Sequence, residues 1–140
     1  MTINAKHSGA VRWRSMLFVP AHRKTFIDKA HMRGADALIL DLEDSVPVTE
    51  KKVAREAVIA AAAKVSRNGA DVLVRINASW RLAVRDLEVV VSPSIGAIVV
   101  PKVGSAQQLQ FIDEIITELE RERGMPQGMT KLVAQIETPG

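Results

Sequence analysis

Ala37-Leu-Ile-Leu-Asp-Leu-Glu-Asp-Ser45 runs four apolar residues straight into three carboxylates, Asp41, Glu43 and Asp44. A short apolar run of this kind reads as a strand covered on both faces. Its charged end must then meet a compensating group, because a buried charge without a partner is costly. In α/β proteins the carboxyl ends of parallel strands are where ligands bind. Three further stretches repeat the arrangement. Val72-Leu-Val-Arg-Ile-Asn77 ends in Arg75 and Asn77, Ala97-Ile-Val-Val-Pro-Lys102 in Lys102, and Leu132-Val-Ala-Gln-Ile-Glu-Thr138 in Gln135 and Glu137. Four apolar strands carrying polar groups at the same end predict one shared site there.

Working outward, strands alternate with helices. Met16-Leu-Phe-Val19, closed by Pro20, is a further strand. A helix is expected from about His22 to Arg33, with Gly34 as C-cap. After the Ala37–Leu42 strand, Thr49 reads as an N-cap, and an Ala-rich helix runs to about Arg67. The Val72–Ile76 strand is followed by a helix over about Leu82 to Val91. The Ala97–Val100 strand is followed by a helix capped by Ser105 and ended by Gly124, with Leu109, Ile112, Ile115, Ile116 and Leu119 on one face. Leu132 to Glu137 is the fifth strand.

Composition narrows the function classes. The 140 residues contain no cysteine, which removes disulfides, thiolate metal sites and a cysteine nucleophile, and fits a cytoplasmic protein. The first ten residues have no apolar segment of the kind a signal peptide needs. No apolar run approaches the ~20 residues of a membrane span. A net charge of +3 and 4% aromatic residues argue against a nucleic-acid partner. His7, His22 and His31 show no metal-ligand spacing, although His22 falls near the mouth.

Alternating strands and helices require parallel pairing through right-handed crossovers. Both an open doubly wound sheet and a (β/α)8 barrel fit that order. No glycine-rich phosphate loop follows the first strand, which weighs against a dinucleotide-binding sheet. Polar tips on four strands favour a barrel, where every strand feeds one mouth. A barrel typically needs ~250 residues. The expected fold is therefore α/β: the N-terminal portion, about five βα units, of a TIM (β/α)8 barrel. It forms a single partial domain over 1–140, with 1–11 as a flexible tail.

Arg14-Ser-Met-Leu-Phe-Val-Pro20, Asp41-Leu-Glu-Asp-Ser-Val46, Val74-Arg-Ile-Asn77, Val100-Pro-Lys-Val103 and Ile136-Glu-Thr138 occur in this order. Together they resemble the citrate lyase beta subunit family of the HpcH/HpaI aldolase superfamily, which also holds malyl-CoA-type lyases. Ala21-His22 departs from the family, where a Gly-Asn or Gly-Ser type turn is commoner. The resemblance implies a TIM barrel, Mg2+ and retro-Claisen cleavage of a 3-hydroxyacyl thioester to a 2-oxo acid and an acyl thioester. The partners it implies are an acyl-CoA or acyl-carrier thioester, a 2-oxo acid and further copies of the chain in a homo-oligomer.

The resemblance also distributes roles. It makes Glu137 the metal ligand, with the family's second ligand, an aspartate, beyond the end of this sequence. A carboxylate at a strand tip suits that task, because Mg2+ takes one or two carboxylates alongside water and substrate. Arg75 is the leading catalytic and substrate-binding residue, since its planar fork matches a carboxylate and could steady a developing enolate. The bland alternative is an ion pair with Asp41, Glu43 or Asp44. Alternation sends Glu43 and Asp44 to different faces, so one is expected in the mouth in a catalytic role and the other in the following loop. Arg14 is carried over by resemblance as a substrate-binding residue, although its place before the first strand also suits a surface salt bridge. Lys102 is read as a charge-balancing, substrate-binding lysine with no Schiff-base role. Asn77 either bonds substrate or fixes its loop. Asp41 and Ser45 read as structural. Two rival readings stand beside the lyase: a non-catalytic chain with residual ligand binding or an assembly role, and an open-sheet α/β binding domain.

Overall fold

The apolar runs become five parallel strands in a computed structural model that describes residues 13–137. They are β1 (Met16–Pro20), β2 (Ala37–Asp41), β3 (Asp71–Arg75), β4 (Ala97–Val100) and β5 (Lys131–Ala134). Between them lie α1 (Lys24–Ala30), α2 (Lys51–Val65), α3 (Trp80–Val90) and α4 (Ala106–Glu122). The strands lie side by side in chain order, β1-β2-β3-β4-β5, all parallel. A doubly wound sheet reverses its strand order at a switch point. This sheet never reverses, so it is wound in one sense, as a barrel wall is. The open-sheet alternative is thereby set aside. Residues 1–11, expected as a tail, lie outside the described residues.

Each strand separates two apolar layers by simple alternation. Leu38, Leu40, Val72, Val74, Ile98 and Val100 face outward and pack under the helices. Ala37, Ile39, Leu73, Ala97 and Val99 face inward as a second cluster, against which Trp13 and Val133 pack. The Trp13 indole N–H donates to Asp71 Oδ2 at 2.8 Å, at the amino end of β3. Trp80, the first residue of α3, sits at the opposite end of the same unit, half exposed. Its ring meets Phe111 edge-on, with centroids 6.2 Å apart.

Several boundaries differ from the sequence expectation. α1 is only seven residues long, and its N-cap Arg23 makes no side-chain capping bond. Thr49 is not a cap: it lies inside a 3-10 turn, Val48–Glu50, and α2 starts at Lys51. β5 stops at Ala134, but Gln135 N–H still donates to the Val100 carbonyl at 2.9 Å, so the pairing direction continues to the site. Ser105 caps α4 as expected, its Oγ accepting the Gln108 N–H. Among the described residues no helix is long and apolar enough to cross a membrane.

Candidate active site

The inward layer ends in polar groups at the carboxyl end of the sheet. Positions 37 and 39 are apolar and 41 is Asp; 73 is Leu and 75 is Arg; 133 is Val and 135 is Gln. Register sets Asp41 beside Arg75, and Arg75 beside Val99. The inward stripe that builds the core therefore delivers Asp41, Arg75 and Gln135 to one level at the mouth.

Arg75 is buried, and its fork closes on Asp41: Nε donates to Oδ1 at 2.7 Å and Nη2 to Oδ2 at 2.8 Å. Nη1 reaches Gln135 Oε1 at 3.3 Å, and the Phe18 ring lies 4.6 Å from Cζ. Asp41 also accepts the backbone N–H groups of Glu43 (2.9 Å) and Ser45 (3.0 Å). Burial alone would raise its pKa, but the hydrogen bonds from Arg75, Ser45 and Glu43 outweigh this and lower it to about 2. Asp41 is thus a structural residue that shapes the turn and orients Arg75.

Glu43 and Asp44 divide as alternation requires. Glu43 is 7% exposed, whereas Asp44 is open to solvent. Glu43 Oε2 takes a short hydrogen bond from Lys102 Nζ, which also reaches Asp44 Oδ1 at 3.2 Å. Glu43 Oε1 has no hydrogen-bond partner, and Arg75 Nε lies 3.9 Å from it. Burial pushes the Glu43 carboxyl above its ordinary range; Asp44 adds to the rise and Lys102 opposes it. Asp44 is held low by its neighbours Glu43 and Lys102. Lys102 is raised, chiefly by its bond to Glu43, so it is a firmly charged ammonium and a poor Schiff-base former.

Lys102 links three strand tips. Its φ is +52°, a left-handed conformation rare for a side-chain-bearing residue. Its backbone N–H donates to Glu137 Oε2 at 3.0 Å while Nζ holds the acids after β2. Glu137 itself is exposed beside this tip. Among the described residues no three His, Cys, Asp or Glu side chains gather closely enough to hold a metal ion. The donors at the mouth are nonetheless oxygen-only, and Mg2+ needs few of them from the protein. Glu137 therefore fits as one ligand, and the described residues offer no complete cage.

One expectation is corrected. Arg14 lies at the amino end of the strands, away from the mouth, where it clasps Asp36 through Nε and Nη2 at 3.1 Å; it is a surface ion pair because β1 begins only at Met16. Asn77 fixes its loop through its donors: its backbone N–H and Nδ2 both donate to Asp86 Oδ2, at 2.8 and 2.7 Å, which leaves only Oδ1 for another group. Asp86, with Arg55 Nε on its other oxygen at 2.7 Å, was not anticipated. The available signal was an acid within the apolar stripe Ala83, Asp86, Leu87 and Val90 of α3. His22 faces Glu50 at 3.2 Å, with its Nδ1 buried and unpartnered.

The sequence and the fold have known counterparts. Residues 14–140 match the HpcH/HpaI aldolase/citrate lyase family. The chain is 38% identical over 129 residues to the citrate lyase subunit beta of Escherichia coli strain K12, covering 90% of this chain and 42% of that protein. It is 34% identical over 115 residues to the L-malyl-CoA/beta-methylmalyl-CoA lyase of Rhodobacter capsulatus, covering 79% of this chain and 36% of that one. In structure it matches a magnesium/glyoxylate complex of Haloferax volcanii malate synthase with a TM-score of 0.77 at 16% identity, over 87% of this chain and 42% of that one. That likeness confirms the partial TIM barrel. The chain thus spans less than half the length of these relatives. With the strand-tip motifs in register on a barrel wall and the match running nearly end to end, the chain belongs to the HpcH/HpaI aldolase/citrate lyase family.

Proposed function

We propose that this chain forms part of a Mg2+-dependent carbon–carbon lyase site that cleaves a 3-hydroxyacyl thioester, either an acyl-CoA or an acyl-carrier thioester. The observation that supports this most is Arg75, locked by Asp41 at the mouth with N–H groups still unspent, beside the buried carboxyl of Glu43. The reaction breaks the bond between C2 and C3 of the acyl group. The hydroxyl proton leaves, the carbonyl of a 2-oxo acid forms, and the electron pair passes to the thioester fragment as an enolate that is then protonated. Arg75 holds the carboxylate of the departing oxo acid. Glu43, raised by burial above the ordinary carboxylate range, holds a proton more readily than a free glutamate. Lys102 keeps Glu43 and Asp44 in place and offsets their charge. Glu137 would hold Mg2+, which when bound polarises the oxo-acid oxygens. Such a site would operate in the cytoplasm and within a homo-oligomer.

Release of glyoxylate from malyl-CoA, or of oxaloacetate from a citryl thioester, tests the reading on the full chain. Release is expected with MgCl2 and is expected to stop on adding EDTA. Glu137→Ala is expected to abolish Mg2+-dependent release while leaving the thermal unfolding transition in place; normal release by that variant would remove the metal assignment.

A second reading is a non-catalytic chain that binds ligand or serves in assembly. The exposed β1 edge favours it: Met16 is 45% exposed, Leu17 37% and Phe18 45%. Binding of malyl-CoA without release under any Mg2+ concentration would select it.

A further inference from the structure

Next to the mouth, between the loop after β2 and the loop after β3, lies a cleft of about 340 Å3 bordered by Glu43, Asp44, Lys51, Asn77, Ser79 and Leu82. Its donors are largely spent. Lys51 Nζ donates to the backbone carbonyls of Leu42 (3.1 Å) and Glu43 (2.9 Å). The Asn77 amide is spent on Asp86, which is fully buried in α3 and does not border the cleft. A carboxylate oxygen can only accept, so the amide NH2 must be the end that faces Asp86. Asp86 cannot drift, because Arg55 Nε holds Oδ1 while Asn77 N–H and Nδ2 converge on Oδ2. That leaves Asn77 Oδ1 as the amide atom on the other side. Glu43 also borders this cleft, but its Oε1 is closed off from solvent and lies 3.9 Å from Arg75 Nε, which leaves Asn77 Oδ1 as the acceptor on this wall.

We propose that Asp86 is a positioning residue that fixes the Asn77 amide with Oδ1 toward the cleft, so that Asn77 Oδ1 recognises a hydrogen-bond-donating group of the ligand, a hydroxyl or an amide N–H, and not an anion. Arg75 then takes the ligand's carboxylate, and this wall takes its donors. The choice of ligand rests on the lyase reading; the orientation of Asn77 does not.

Two measurements on the full chain decide it. In 15N-resolved NMR, one Asn77 side-chain NH2 proton should exchange slowly with solvent and lose that protection in Asp86→Asn, where the new amide competes for the same bond. Free exchange in the parent overturns the clamp. By calorimetry, Asp86→Asn and Asn77→Ala should each weaken malyl-CoA binding about tenfold, the scale of one lost hydrogen bond. In the Asn77→Ala background, Asp86→Asn should add nothing to the loss of binding, because Asp86 reaches the ligand only through the Asn77 side-chain amide; additive losses indicate a general structural role, through Arg55 or the Asn77 backbone N–H, and overturn the proposal. Succinyl-CoA, which lacks the hydroxyl, separates the two donors. If it binds as well as malyl-CoA, the recognised group is an amide N–H; if it binds about tenfold less well, it is the hydroxyl. If the parent binds neither thioester, the lyase reading and the recognition step fail together, while the NMR result still decides the clamp.

Discussion

Arg75 carries five N–H donors, and three are engaged: two by Asp41 and one by Gln135. The bidentate grip aims the remaining two without letting the guanidinium rotate. A lysine could satisfy Asp41 or a substrate carboxylate but not both, so Arg75→Lys is expected to lower malyl-CoA cleavage by at least ~100-fold, about 2.7 kcal/mol of transition-state stabilisation; an initial-rate assay checks it. Glu43 gives the opposite kind of test. Its folded-state pKa is raised above the ordinary 4.5, so its contribution to stability is fully present below that value and is lost as pH rises through the raised one. Above 4.5 the unfolded chain ionises this group more readily than the fold does, which weighs against the fold at pH 7. Glu43→Gln is expected to raise the melting temperature at pH 7 and to change it little at pH 4; calorimetry at both values decides. The pairing of Arg75 with an acid at the end of β2 was legible, because adjacent strand tips with opposite charges leave few other partners. Arg14 misled because motif order says nothing about which end of a short strand a residue occupies.

At the scale of elements, the apolar period was readable and the polar insertions within it were not. The inner stripe of α3 reads Ala83, Asp86, Leu87, Val90, and that of α4 reads Ile112, Ile116, Leu119, Glu120. Each helix hides one acid on its buried side. Asp86 holds the loop after β3, and Glu120 accepts the N–H groups of Gly128 and Thr130 at 3.0 and 2.8 Å, fixing the approach to β5. Their loop partners are backbone N–H groups, with the Asn77 amide beside them at Asp86, and periodicity does not reveal them. The turn after β4 makes another prediction. Lys102 sits at φ +52°, where a Cβ is strained by about 1 kcal/mol or more. Lys102→Gly is therefore expected to be more stable than Lys102→Ala, reversing the usual order of those residues, as urea denaturation would show. Both variants keep the N–H to Glu137 and lose the ammonium.

Over the whole molecule, the sheet turns in one sense and leaves β1 and β5 with one neighbour each. The barrel class was legible from polar tips on four successive strands, since an open sheet would concentrate them at one switch point. Beside β1, Leu17, Phe18 and Phe26 line a groove of about 550 Å3. An exposed apolar edge invites pairing, so the full chain is expected to self-associate with rising concentration, and Leu17→Lys to weaken that association; sedimentation velocity over a concentration series measures both. The two tryptophans add a reporter for such work. Trp13 lies at the floor of the barrel wall, tied to Asp71, and Trp80 lies at the rim against Phe111. They are the only indoles in the chain, so its fluorescence holds one signal from each pole. A ligand entering the mouth should shift the emission and quenching of the rim indole while the floor indole stays constant, and replacing either with phenylalanine assigns the two signals.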